Sequence, residues 1–201
     1  GQARSLRDEL MRMDVVQMPA DRAQGYYQVV SSGVRDTTKA MQILRQSSKA
    51  AAAGQADLNS VILAATRVTN AYGQAQTDVN QVLDVMAGAV EAGQVEWPEM
   101  AAQIGDIVGT AAQAKVKFSD LMAIWSAMTL AGNNATESAT QLNQVMLSIM
   151  APTEASRKAF EALGLSHERL NVEARGLPTV LTDIMETLKA NSTGSQDLTK
   201  K

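Results

Sequence analysis

The chain has 201 residues, of which 45% are hydrophobic, 19% charged and only 3% aromatic, and its formal net charge is −3. That much apolar material can pack one ordinary domain or two small ones, which excludes wholesale disorder. Zero Cys and a single His, His167, exclude disulfide scaffolds, thiolate chemistry and any site needing two imidazoles, and the acidic balance argues against electrostatic nucleic-acid binding.

The chain opens Gly-Gln, with no initiator Met and no cationic-then-apolar leader, so a piece of a longer protein is expected. Within 1–20, Leu6, Leu10 and Met13 share one face of an amphipathic helix. Pro19 separates it from a second helix near 21–32. Arg4, Arg7, Arg12 and Arg22 alternate here with Asp8, Glu9, Asp14 and Asp21. Mixed signs of this kind predict a solvated helix face rather than a phosphate-binding arm.

From residue 37 onward the helical period is sustained. Ala40, Ile43, Leu44 and Ser47 fall at i, i+3, i+4 and i+7 in 37–53. The same spacing links Leu58, Val61, Ile62, Ala65 and Val68 in 56–72, then Val79, Val82, Leu83, Met86 and Val90 in 77–92. Ala, the best helix former, is about one residue in six. Nowhere do β-branched and aromatic residues alternate with polar ones for long enough to suggest a strand.

The breaks between helices recur. Ala53-Gly54-Gln55, Ala92-Gly93-Gln94 and Ala131-Gly132-Asn133 each end an apolar run, and their glycines stand 39 residues apart twice over. An acidic residue follows each (Asp57, Glu96, Glu137), where the next helix begins. Glycine suits the left-handed residue past a helix end, and an acid suits the positive end of the next helix dipole. The pattern predicts an all-α fold of helical hairpin repeats with a period of about 39 residues, packed as a bundle or short solenoid. Hairpins are expected at about 37–73, 77–115 and 118–150, within a repeat core covering 21–165.

Individual boundaries carry their own signals. Asn134 with Glu137 resembles a capping box, Pro98 fits a first helical turn, and Ser119 could cap the helix carrying Leu121. Pro152 closes the repeat region, and a short helix is expected at 153–163, ended by Gly164. Residues 166–201 should hold a last helix near 178–190 and a polar tail, NSTGSQDLTKK.

Chemistry is sparse. The phosphate-loop, dinucleotide, nucleophile-elbow and zinc-protease motifs are all missing, and no residue set calls for a cofactor or a metal. Asp57/Glu91 and Glu96/Glu99 could be imagined as glycosidase carboxylates, but Glu96 and Glu99 stand where helix-start acids normally stand. His167, in the polar run SHER, reads as a turn residue. Two patterns point instead to contact. Ala101, Gly105 and Gly109 strip bulk from one helix face, allowing close helix packing. Residues 121–153 hold one formal charge, Glu137, and present Leu121, Ile124, Trp125 and Met128 as a face that either buries in a seam or meets a membrane or partner. Each apolar piece is too short to span a bilayer of about 30 Å.

The order of these pieces resembles the core region of phage tail tape measure proteins. The resemblance spans about 26–165 and is carried by YYQVVSSGVRDTTKAMQIL (26–44), KAAAAGQADLNSVILAATRVTNAYG (49–73), the passage from DVMAGAVEAGQ (84–94) through KFSDLMAIWSAMTLAG (117–132), and ATESATQLNQVMLSIMAPTEASRKAFEALGL (135–165). EWPE (96–99) departs from the hydroxyl-led helix start expected there. The resemblance implies a structural virion protein with no catalytic residues, which sets tail length during assembly and leaves the tail at infection to aid DNA passage. It implies location in the tail lumen, in the host cytoplasm during assembly, and in the host envelope during infection. The implied partners are the tail tube protein, the tail tip or baseplate hub proteins and a tail assembly chaperone, with contact to a host membrane and no sequence-specific nucleic-acid binding. A freestanding helical-repeat adaptor that binds another protein in a groove is the alternative.

Overall fold

A computed structural model describes residues 2–73 and 77–198, with side chains from Arg4 to Asn191 outside the 74–76 gap. Its described residues form eleven helices. They are α1 (Gln2–Arg12), α2 (Pro19–Ser31), α3 (Thr37–Ala53), α4 (Leu58–Tyr72), α5 (Val79–Ala92), α6 (Trp97–Gln113), α7 (Phe118–Leu130), α8 (Ala135–Met150), α9 (Glu154–Ala162), α10 (Val172–Arg175) and α11 (Leu177–Leu198). The fold is all-α, as the periodicity predicts. Helix starts in the repeat region are not evenly spaced: 37, 79 and 118 for α3, α5 and α7, against 58, 97 and 135 for α4, α6 and α8. The wider first interval comes mostly from the α4–α5 connection, which takes residues 73–78 where its neighbours use four, and for the rest from helix length.

Packing sorts the helices into two rows. α2, α4, α6 and α8 pack each on the next, and so do α3, α5 and α7, with α11 placed against α7. The apolar stripes of the two rows meet in one core, which includes Ile43, Leu44, Ile62, Met86, Met100, Ile104, Leu121 and Trp125. Burying a side chain of this size contributes roughly 1.5–3 kcal/mol, which offsets the entropy lost in ordering it.

Most helix starts are capped as polar chemistry demands. Asp36, Asp57 and Asn134 side chains accept from the N–H of Lys39, Ser60 and Glu137 at 2.7, 2.8 and 2.7 Å. The N–H of Glu96 donates to Glu99 Oε2 at 3.3 Å, so this acid pair belongs to a helix start. Ser119 is not a cap. Lys117 holds that position, without a side-chain bond, because α7 begins one residue before Ser119. Asp57 and Glu96 are themselves the cap residues, so of the three recurring acids only Glu137 lies inside a first turn.

The recurring glycines need another explanation than the one their positions suggest. Of the three, only Gly132 adopts a left-handed backbone, with φ 101°. Gly54 and Gly93 sit at φ −87° and −99°, and after Gly54 it is Gln55, at φ 50°, that makes the turn. Glycine is needed there for close approach. A Cβ at Gly54 would overlap the Trp97 indole, and one at Gly93 would lie 2.8 Å from Thr129 Oγ1 and 3.2 Å from Ser126 Cα. Gly93→Ala is therefore expected to destabilise by about 1–3 kcal/mol through overpacking. Gly88→Ala, on the same helix with nothing within 4 Å of its Cβ, is expected to stabilise by about 0.5–1 kcal/mol. Urea unfolding of the two variants checks the opposite signs.

Two further expectations change. Arg22 does not lie on a solvated face; it is 8% exposed. Its guanidinium donates to the carbonyls of Leu10 (3.0 Å), Val15 (3.0 Å) and Gln17 (2.8 Å), gathering carbonyls from the end of α1 and the connection after it. Arg4, Arg7 and Arg12 are exposed. At the other end, α11 continues to Leu198 through most of the stretch expected as a tail. Extending an existing helix by one residue costs far less than nucleating a new one. Residues 199–201 lie outside the described residues.

Candidate functional site

Among the described residues, no three His, Asp or Glu side chains come together in a way that could hold a metal ion. No helix among them is long and apolar enough to cross a membrane.

The seam between α5 and α7 is built around Gly93. With no side chain there, Ser126 and Thr129 approach the end of α5. Ser126 Oγ donates to Ala89 O at 3.1 Å, and the Gln94 N–H donates to Thr129 Oγ1 at 3.3 Å. Both hydroxyls are buried and also bond within their own helix. These polar groups favour one register of two apolar helices, because slipping by a turn would break both bonds across the seam and leave each hydroxyl only the bond within its own helix.

The seam between α4 and α6 holds the small-residue stripe. Ala101 is buried, and Gly105 lies under the guanidinium of Arg67, whose Nη1 donates to Ala101 O at 2.9 Å. The close approach at Gly105 is thus made by a flat cation from α4 rather than by its backbone. Gly109, a turn further on, is exposed and has nothing within 4 Å of its Cβ position. The stripe is one surface in sequence but three environments in space.

Leu121 and Trp125 are buried at 0% and 1% exposure, and Trp125 Nε1 donates to Ala135 O at 3.1 Å across to α8. Ile124 and Met128 are half-buried and pack at the edge of the same core. In the folded chain Leu121 and Trp125 lie inside a seam, and Ile124 and Met128 stand at its edge.

A groove of about 580 Å3 opens where the last turn of α4 meets the first turns of α5 and α7. Val68, Val82 and Phe118 line it, with the charged Asp78, Asp84 and Lys117 exposed around them. Tyr72 packs edge-on against Phe118, centroids 5.9 Å apart, and donates its hydroxyl to Val116 O at 2.9 Å. Burial, and secondly the Asp120 carboxylate, push the Tyr72 phenol above its ordinary value of 10.0. The neutral phenol is the form the fold favours. Its contribution is complete below pH 10.0 and is lost as the pH climbs from there toward the folded-state value. In an alkaline titration, one of the three tyrosines should ionise together with the loss of helical circular dichroism. Tyr72→Phe should remove that late phenolate step.

Near the C-terminus, Arg175 Nη1 meets Asp183 Oδ2 at 2.5 Å and Arg169 Nε lies 3.5 Å from the same oxygen. The Arg175 hydrogen bond leads in holding the Asp183 carboxyl below the usual range. This cluster ties the turn before α11 to the helix. His167 is exposed, in a turn. Sequence reasoning missed both Arg22 and this trio, since neither has a spacing that distinguishes it from a solvated charge pattern.

A family model described as "Phage-related minor tail protein" matches residues 11–200. No curated protein and no solved structure matches the chain.

Proposed function

Because the chain belongs to the phage-related minor tail protein family, we propose that it is a tail tape measure segment, a structural element of the virion tail that sets tail length during assembly. The observation that carries this reading is the match itself, which covers nearly the whole chain. The ordered series of Ala-Gly breaks and the Ala-Pro-Thr stop at 151–153 support the finer assignment. In this role the chain needs surfaces and length, not a reaction centre, and we read it as non-enzymatic.

Its partners in this reading are the tail tube protein, the tip or hub proteins and an assembly chaperone, and it leaves the tail at infection to aid DNA passage. For Leu121 and Trp125 to meet a host membrane, α7 and α8 must leave their packing first, since both side chains are inside. The test is an in-frame deletion of 78–116 in the phage gene, with tail length measured by electron microscopy. Tails of unchanged length would remove the ruler role from this segment.

A further inference from the structure

Among the described residues, Arg22 is the only charged side chain that is buried, and no ion pair reaches it. Its partners are carbonyls. Nη1 donates to Leu10 O at 3.0 Å and to Met11 O at 3.4 Å, Nη2 to Val15 O at 3.0 Å, and Nε to Gln17 O at 2.8 Å. The first two belong to the last turn of α1, where helix carbonyls lack an intrahelical partner, and the other two to the connection before α2. One guanidinium on α2 thus holds the path of residues 10–17. Apolar packing adds little to it. Met13 is the one buried apolar side chain of this segment, Leu6, Leu10 and Val15 are half-buried, and Met11, Val16 and Met18 are exposed. The Gln17 side chain adds one bond to α3, donating Nε2 to Ser48 O at 2.9 Å.

We infer that α1 and the connection to Gln17 form a strap that closes on α2 and α3 as one unit, and that Arg22 is its latch. The strap is a helix only while closed. α1 has 11 residues, and isolated helices shorter than about 12–15 residues are marginal in water. Opening hands the guanidinium and its four carbonyls to water, which replaces most of what those bonds contribute, and it separates few apolar contacts. Opening α3 to α8 would instead expose the whole buried stripe, so the strap opens far below the cost of unfolding the core. Because four carbonyls share one side chain, the strap lets go of them together. α2 keeps its start when the strap leaves, since Pro19 fills the first helical position, where a missing N–H costs nothing. Opening clears the flank of α3 that Gln17 and Glu9 occupy in the closed form.

Amide hydrogen exchange on the full chain tests the latch. In the unaltered protein the amides of 6–17 should exchange as one group, faster than those of α3 to α8. Arg22→Met keeps much of the volume and removes every donor. It should speed exchange across 6–17 by at least about tenfold and leave α3 to α8 as they were. Arg22→Lys keeps the charge but cannot reach three separated carbonyls with one ammonium, so it should loosen the same residues nearly as much. Arg12→Gln, at an exposed position on α1, should leave the strap closed. Unchanged protection of 6–17 in Arg22→Met overturns the proposal. So does a loss of protection that spreads through α3 to α8, which would make Arg22 part of the common core. Full protection in Arg22→Lys overturns it as well, because charge alone would then suffice.

Discussion

Trp125→Ala is expected to cost about 3–5 kcal/mol of unfolding free energy, a large share of the roughly 5–15 kcal/mol that holds a typical domain together. The side chain is 1% exposed and is among the largest fully buried side chains of the core. Its removal leaves a cavity between α7 and α8 and takes away the indole N–H that Ala135 O accepts at 3.1 Å. Trp125→Phe separates the two effects, since it keeps most of the volume and loses only the donor; about 1–3 kcal/mol is expected. Ile124→Ala, one residue earlier but only half-buried, should cost less than either full burial or the seam position in the sequence suggests, below about 2 kcal/mol. Denaturant midpoints rank the three. Native tryptophan emission at the solvent-exposed limit would contradict the burial of both Trp97 and Trp125, which are 3% and 1% exposed.

On the tape measure reading proposed above, deletion of 78–116 should shorten the tail by an amount that reports the form the segment takes there. These residues are α5 and α6 with their capping residues, one helix from each row. If they lie extended as helix along the tube, a rise of 1.5 Å per residue gives about 58 Å of lost length. If they keep the packed rows, helices about 8–10 Å apart advance the stack by only about 10–20 Å. We expect the larger loss, because two rows of helices are wide and a tube lumen is narrow. Pro98, in the first turn of α6, would then mark a kink, since it cannot donate to the preceding turn of a continuous helix. The deletion joins Thr77 to Lys117 and leaves a connection of the same length before α7, so the remaining helices can pair as before. Tail-length histograms of the two phages distinguish the two losses from each other and from no change.

Helix content, the positions of most helix ends and the identity of the core face were legible along the chain, because they depend on neighbours within one or two turns. Periodic Leu, Ile, Val and Ala select the buried stripe, and Asp36, Asp57 and Asn134 cap the helices they precede through bonds spanning three residues. Interactions of that range need no knowledge of the fold. The tertiary structure decided everything that depends on what lies across a seam. Gly54 and Gly93 look like turn glycines in sequence, yet each is required by a side chain more than thirty residues away, Trp97 and Thr129. Gly105 and Gly109 are equivalent in spacing, but Arg67 covers one and nothing covers the other. Arg22 shares the alternating pattern of its exposed neighbours, and only the path of the chain around it turns a surface cation into a buried clamp on three carbonyls. The order of the helices within the two rows is likewise a property of packing, because any amphipathic helix carries the same stripe whether it ends a stack or sits within one.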